Sequence, residues 1–129
     1  MVQDRWDRDR FFDEILVRRG YVVASIDPRS ATGQSKALER LVAGKMMSDL
    51  ELNDLVAGVR WLKAQPWADP AKFGIWGWSG GGSYTLLALT RSKEFAAGIS
   101  GAPVTDWTFY DTKFGESVMR TKESNPEGY

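Results

Sequence analysis

Phe73-Gly74-Ile75-Trp76-Gly77-Trp78-Ser79-Gly80-Gly81-Gly82-Ser83 is the stretch that decides how this chain folds. Its first four residues read as a short apolar strand, and Gly80 to Thr90 read as a helix. Between them, Gly77-Trp78-Ser79-Gly80-Gly81 fits the pattern G-x-S-x-G. That is the signature of a nucleophile elbow, where a serine on a sharp strand-to-helix turn lifts its hydroxyl above a sheet. The five residues alone carry little, since a chain of this composition holds such a pattern by chance about one time in twenty. Their setting carries more. Gly77 and Gly81 supply bare backbone where the turn brings strand and helix together. Three successive glycines at a helix start cost about 1 kcal/mol each relative to alanine, so packing or function must account for them. Two other readings use the same residues. One is a glycine-rich turn with a capping serine, and the other is a phosphate cradle at a helix N-terminus. The cradle fits poorly, because G-x-G-x-x-G anchored at Gly77 has Ser79 where its second glycine belongs, and no lysine follows to make a P-loop.

Working outward, Tyr21-Val22-Val23-Ala24-Ser25-Ile26 is β-branched and nearly all apolar, which predicts a buried strand of a parallel sheet. Phe95 to Val104 predicts another strand, with Ala96-Ala97-Gly98-Ile99-Ser100 as its core. Residues 5–19 carry Trp6, Phe11, Phe12, Ile15 and Leu16 among many charges, and end at Arg18-Arg19-Gly20. This predicts an amphipathic helix with basic residues in its last turn and glycine beyond its end. Asp27 to Gln34 is a loop by turn chemistry. Ser48 and Glu51 form a capping box for a helix through about residue 64, with Leu52, Leu55, Val56, Val59 and Leu62 as its apolar stripe. Pro66 and Asp69-Pro70 stop it. Leu86-Leu87-Ala88-Leu89 are consecutive, so the helix after Ser79 is expected to be buried on most sides. After Trp107 the pattern weakens, and Asn125-Pro126-Glu127-Gly128-Tyr129 reads as a connection cut short. The alternation of helices and strands over residues 1–129 predicts one α/β unit with a parallel sheet.

Composition narrows the function classes. Of 129 residues, 17 are Lys or Arg and 17 are Asp or Glu, so no bulk charge draws in nucleic acid or an anionic membrane. There is no cysteine, which excludes disulfides and thiolate metal sites and leaves the compartment undetermined. There is no histidine either, so neither a zinc site nor any other metal or cofactor is expected. Met1 to Arg8 is charged and lacks the apolar core of a signal peptide. No apolar run approaches the roughly 18 residues of a membrane span. The missing histidine also means that these residues cannot run a Ser-His-Asp triad by themselves.

Four blocks together resemble the catalytic domain of the prolyl oligopeptidase family, closest to its dipeptidyl peptidase IV branch. They are Arg19-Gly20-Tyr21-Val22-Val23 with Asp27-Pro28-Arg29; Asp49-Leu50-Glu51; Gly74-Ile75-Trp76-Gly77-Trp78-Ser79; and Gly101-Ala102-Pro103-Val104-Thr105-Asp106-Trp107 running on to Tyr110-Asp111. The closing Asn125-Pro126-Glu127-Gly128-Tyr129 suits the same branch. The similarity covers almost the whole chain, in order and with matching spacing.

The resemblance implies a partial α/β-hydrolase fold, a parallel sheet with flanking helices that is incomplete at both ends. It implies Ser79 as the acylating nucleophile and the Gly80 N–H as an oxyanion-hole donor. It implies Val104, Trp107, Tyr110 and Phe114 as the wall of the pocket for the residue before the scissile bond. The implied activity is serine-type peptidase chemistry, releasing N-terminal dipeptides from peptide substrates in a full-length enzyme that often dimerises. The family's acid and base would lie beyond residue 129 and a further oxyanion donor before residue 1. The expectation is therefore a fragment, inactive alone, marginally stable and prone to associate. Asp106 and Asp111 fall too early for the triad acid and read as loop and capping carboxylates. The chain departs from the family at Gly80, where tyrosine is usual, at Ser30-Ala31-Thr32, where the branch has glycines, at Phe114, usually tyrosine, and at Ser117, where arginine is expected. Two alternatives stay open: a non-catalytic interaction module derived from a hydrolase, and a fragment of an esterase or acylaminoacyl peptidase.

Overall fold

The computed structural model describes residues 11–129. The expected first helix is described from Phe11, so its Trp6 turn lies outside the described residues. Helix α1 spans Phe11–Arg18 and carries Arg18 in its last turn. Gly20, at φ 87, then takes the left-handed conformation, and its N–H donates to the Val17 carbonyl at 2.9 Å. This is the stop that a glycine past the end provides. A short α2, Lys36–Glu39, is capped by Ser35, whose Oγ accepts from the Leu38 N–H at 3.1 Å.

Helix α3 runs over Asp49–Lys63, and the Glu51 half of the expected capping box is formed at its start, accepting from the Ser48 N–H at 3.2 Å. Leu52 and Val59 from its apolar stripe are buried. β1 (Gly74–Trp78), α4 (Gly80–Arg91) and β2 (Ala97–Gly101) follow, then α5 (Thr112–Met119). β1 and β2 pair in parallel, from Gly74 opposite Ala97 to Trp78 opposite Gly101. Two parallel strands with a helix between them form a β-α-β unit, and α4 packs on one face of the pair. The fold is thus mixed α/β, a two-stranded parallel sheet flanked by helices.

The strand period of two sorts the sheet's side chains. Ile75, Gly77, Gly98 and Ser100 share the α4 face. Gly98 is bare because a Cβ there would stand 2.6 Å from the Leu89 side chain, and Ser100 Oγ donates to the Gly82 carbonyl at 2.9 Å. Trp76, Trp78 and Ile99 point the other way and are 51%, 72% and 70% exposed. Helix α1 meets that second face where Phe12 approaches Trp76, with ring centroids 5.2 Å apart at 75°. Val42, Leu52, Val59, Ala88 and Met119 are the buried apolar side chains among the described residues.

Two expectations are corrected. Tyr21 to Ile26 is not a buried strand. A strand is made by its ladder, and no described segment pairs with this one. Tyr21 and Val22 are 61% and 67% exposed. Val23 and Ile26 are half-buried, and Ile26 packs against α3 at Gly58, where a Cβ would lie 2.8 Å from Ile26 Cδ1. Helix α4 is also less enclosed than four consecutive apolar residues suggested. Ala88 is fully buried but Leu89 is 36% exposed, because the helix covers two strands and α3 rather than a wide sheet.

The residues after Trp107 are firmly tied rather than trailing. Asn125 Nδ2 donates to the carbonyls of Gly44 at 2.7 Å and Met119 at 2.8 Å. The Gly44 N–H donates to the Val118 carbonyl at 2.8 Å, and the Tyr129 hydroxyl to the Arg120 carbonyl at 2.7 Å. Among the described residues no helix is long and apolar enough to cross a membrane.

Candidate active site

Ser79 sits between the last residue of β1 and the first of α4, with φ 56 and ψ −119. Positive φ is uncommon for a residue with a side chain and costs on the order of 1–3 kcal/mol. The sequence explains how the turn holds it. A Cβ at Gly77 would fall 2.3 Å from the Gly81 backbone, and one at Gly82 would fall 2.4 Å from the Gly101 carbonyl oxygen. Strand, turn and helix therefore touch through main chain. That same Gly101 oxygen accepts from the Ser79 N–H at 2.9 Å, pinning the turn to the end of β2. Gly81 is different. A Cβ there would meet nothing within 4 Å, so its backbone, and not its lack of a side chain, is what the close approach uses. Ser79 does not cap α4 with its side chain, which removes the plain capping-serine reading.

The candidate wall residues are partly brought together. Trp107 and Tyr110 meet edge to face at 5.8 Å, Trp107 and Phe114 stack at 6.3 Å and 20°, and Tyr110 and Phe114 meet at 5.8 Å and 84°. Trp107 comes from the Trp107–Phe109 turn and Phe114 from α5, and the extended Tyr110 and Asp111 between them fold the three rings together. Tyr110 and Phe114 remain 38% and 45% exposed. Trp107 and Tyr110, with Asp111, Gly115, Lys122 and Tyr129, line a depression of about 250 Å³. Ser79, Val104 and Phe114 are not on its lining.

Val104 joins the turn through a residue the sequence did not single out. Ser83 Oγ donates to the Val104 carbonyl at 2.7 Å and accepts from the Val104 N–H at 2.8 Å, while the Ser83 N–H donates to the Ser79 carbonyl at 3.0 Å. One buried hydroxyl thus locks the segment after β2 onto the first turn of α4. Asp106 and Asp111 are caps as expected, accepting from the N–H groups of Thr108 at 2.8 Å and Phe114 at 2.9 Å. Hydrogen bonds to Thr108 hold the Asp106 carboxyl below its ordinary range.

Two carboxylates organise the flank of the site. Asp54 accepts from Arg29 Nε at 2.8 Å and from the Arg29 N–H at 2.9 Å, tying the loop after Asp27 to α3. The Arg29 hydrogen bond holds the Asp54 carboxyl low. Glu51, read from sequence only as a cap, is buried at 3% exposure. It accepts from Ser30 Oγ at 2.8 Å, from the Tyr84 hydroxyl, and from the N–H groups of Met47 at 2.7 Å and Ser48 at 3.2 Å. Burial, followed by the hydrogen bond to Glu51, pushes the Tyr84 hydroxyl well above the ordinary tyrosine range.

Residues 10–129 match the profile of the prolyl oligopeptidase family. The chain belongs to this family. Its members are serine peptidases, which act on peptides. Among the relatives of this family member, the probable dipeptidyl-aminopeptidase B of Metarhizium robertsii is 40% identical over 112 residues, covering 85% of this chain and 12% of the relative. The protein of the same name from Aspergillus oryzae is 38% identical over 121 residues, covering 92% and 13%. The crystal structure of Porphyromonas gingivalis dipeptidyl peptidase 4 superposes with a TM-score of 0.85 at 38% identity, over 92% of this chain and 17% of that one. A putative dipeptidyl aminopeptidase IV from Bacteroides ovatus superposes with a TM-score of 0.72, also at 38% identity, over 80% and 15%. The family segment present here thus spans about an eighth of the length of the curated relatives it matches.

Proposed function

We propose that Ser79 is the nucleophile of an acyl-transfer site in a peptidase that releases N-terminal dipeptides, and that these 129 residues alone do not catalyse the reaction. The strained φ of a serine whose side chain does not cap its helix carries this reading. A residue held in that conformation between strand and helix presents its Oγ outward, and Gly80 opens the helix whose first N–H groups lack intrahelical acceptors. In the proposed step Ser79 Oγ adds to a peptide carbonyl carbon. A histidine accepts the hydroxyl proton and returns it to the leaving amine, while the Gly80 N–H donates to the developing oxyanion. Water then cleaves the acyl-serine ester, releasing the dipeptide and restoring the Ser79 hydroxyl. Val104, Trp107, Tyr110 and Phe114 form the wall that receives the residue before the cleaved bond. With no histidine in the sequence, the hydroxyl stays protonated near neutral pH. Loss of that base alone costs about six decades in rate in a serine protease.

The test has two arms. The 129-residue chain is expected to release no p-nitroaniline from Gly-Pro-p-nitroanilide above background; release abolished by Ser79→Ala would overturn the inactivity. Residues 11–129, grafted in place of the matching segment of the Porphyromonas gingivalis enzyme, are expected to hydrolyse the same substrate, and Ser79→Ala in the graft to remove the activity. A folded graft that keeps its activity with Ser79→Ala would refute the nucleophile assignment.

A further inference from the structure

Met47 adopts the left-handed conformation at φ 59, one residue before the Ser48 cap of α3. A residue with a side chain holds that conformation only where its surroundings fix it. Here the fixing group is Glu51, whose Oε2 accepts the Met47 N–H at 2.7 Å and the Ser48 N–H at 3.2 Å. Its Oε1 takes the hydroxyls of Ser30 and Tyr84. A carboxylate removed from water needs such donors. All of them come from elements that converge beside the Ser79 turn: the loop after Asp27, the approach to α3, and α4.

On α4, Tyr84 lies four residues after Gly80 and so on the same face. On that face, a Cβ built on Gly80 would stand 3.5 Å from the Met47 methyl. The thioether therefore covers the flank of Gly80, and a side chain longer than a methyl at position 80 would have to displace it.

We propose that Met47 is a positioning residue for the Ser79 turn, locked by Glu51 so that its thioether seals Gly80 on the side facing α3. The contact itself stands on geometry; its consequence rests on the Ser79 reading, in which the sealed flank keeps water and bulk away from the residue beside the nucleophile. Methionine suits the task, since a flexible, polarisable side chain fills an irregular gap next to a bare backbone.

Methyl-labelled methionine NMR and amide exchange on the full chain test the proposal. The expected result is a cross-relaxation signal between the Met47 methyl and Gly80 Hα, with Met47 amide exchange slowed at least tenfold relative to unprotected chain. Glu51→Gln is expected to keep both, because its carboxamide oxygen accepts the two N–H groups while its NH₂ donates to the Ser30 and Tyr84 oxygens, whose hydroxyls rotate. Glu51→Ala is expected to lose both while the ring contacts among Trp107, Tyr110 and Phe114 persist. Absence of the methyl signal in the unmodified chain, or its survival in Glu51→Ala, would overturn the proposal. Should Glu51→Ala not fold, loss of both signals in a folded Glu51→Gln does so. Ser79→Ala leaves both signals in place, so failure of the nucleophile assignment and failure of the Met47 assignment are separable.

Discussion

Replacing Ser79 by glycine should make the chain more stable. At φ 56 and ψ −119, the serine Cβ crowds its own backbone, at a cost on the order of 1–3 kcal/mol. Glycine removes that Cβ, but its greater freedom in the unfolded chain takes back about 0.5–1 kcal/mol. The balance is a gain of about 1 kcal/mol. Alanine is the control that isolates the cause. Ser79→Ala keeps the Cβ and its strain and removes only a hydroxyl that caps nothing, so its stability should stay within about 0.5 kcal/mol of the parent. Urea unfolding followed by the fluorescence of the six tryptophans reads both changes, with an unchanged slope showing that the same surface is exposed. In thermal melts the gain corresponds to roughly 4 °C for a chain of this size. The reasoning fails if Ser79→Gly destabilises the chain, or if Ser79→Ala gains as much as Ser79→Gly. The first outcome would mean the serine side chain contributes to folding; the second would put the cost in the hydroxyl, not the backbone.

The glycines after Ser79 should respond in opposite directions. Gly82→Ala drives a methyl to 2.4 Å from the Gly101 oxygen that accepts the Ser79 N–H, so overpacking and one weakened hydrogen bond should together cost about 2–4 kcal/mol by urea unfolding. Gly81→Ala enters open space and should gain about 0.5–1 kcal/mol, and equal effects at the two sites would refute the packing argument. Acid should act through Asp54, whose carboxyl is held low by Arg29. The stabilisation from a depressed carboxyl is present above its unfolded value of about 3.9 and is lost as pH falls through the lower folded value. The urea midpoint should therefore drop more between pH 7 and pH 3 in the parent than in Asp54→Asn, and equal drops would show that the pair adds nothing.

What the sequence made legible was local. Glycine, serine and an apolar run placed the turn correctly, because the chemistry of a tight strand-to-helix connection is written in adjacent residues. Caps at Asp106 and Asp111, and the bond from the Ser48 N–H to Glu51, were readable for the same reason. The misreading at Tyr21 to Ile26 has the opposite cause: an apolar β-branched run states a preference, whereas pairing belongs to a neighbour that the run does not contain. Glu51 was half read. Its bond to the Ser48 N–H lies within four residues, but Ser30 and Tyr84 lie 21 and 33 residues away, and no periodicity connects them. Ser83 and Met47 were missed because a lone serine in a helix and a methionine in a loop carry no pattern. A positive φ at Met47 leaves no trace in its identity. Gly82 was legible in part, since three successive glycines at a helix start are expensive and call for packing to account for them, but its partner at Gly101 lies 19 residues away.

That expense bears on what the turn is for. Among the described residues four non-glycine positions have positive φ, and three of them, Met47, Ser79 and Ala102, surround one turn. Two of the three are held by a hydrogen bond from their own N–H. Met47 donates to Glu51, Ser79 donates to Gly101, and Ala102 directly follows that Gly101. The side chain of Trp78 leaves no room there, since a Cβ on Gly101 would meet its ring at 2.3 Å. A connection needed only to reverse the chain could relax every one of these with glycine or asparagine at the strained position. A serine, a methionine and an alanine at these positions instead carry a standing cost of about 1–3 kcal/mol apiece that glycine would remove. Of the three, only serine carries a nucleophilic atom; the other two offer a thioether and a methyl, which can shape and dry the flanks of a site but not react in it. The division of labour proposed for Ser79 and Met47 follows from that difference in chemistry, and substituting glycine at each of the three positions in turn would separate strain relieved from function lost.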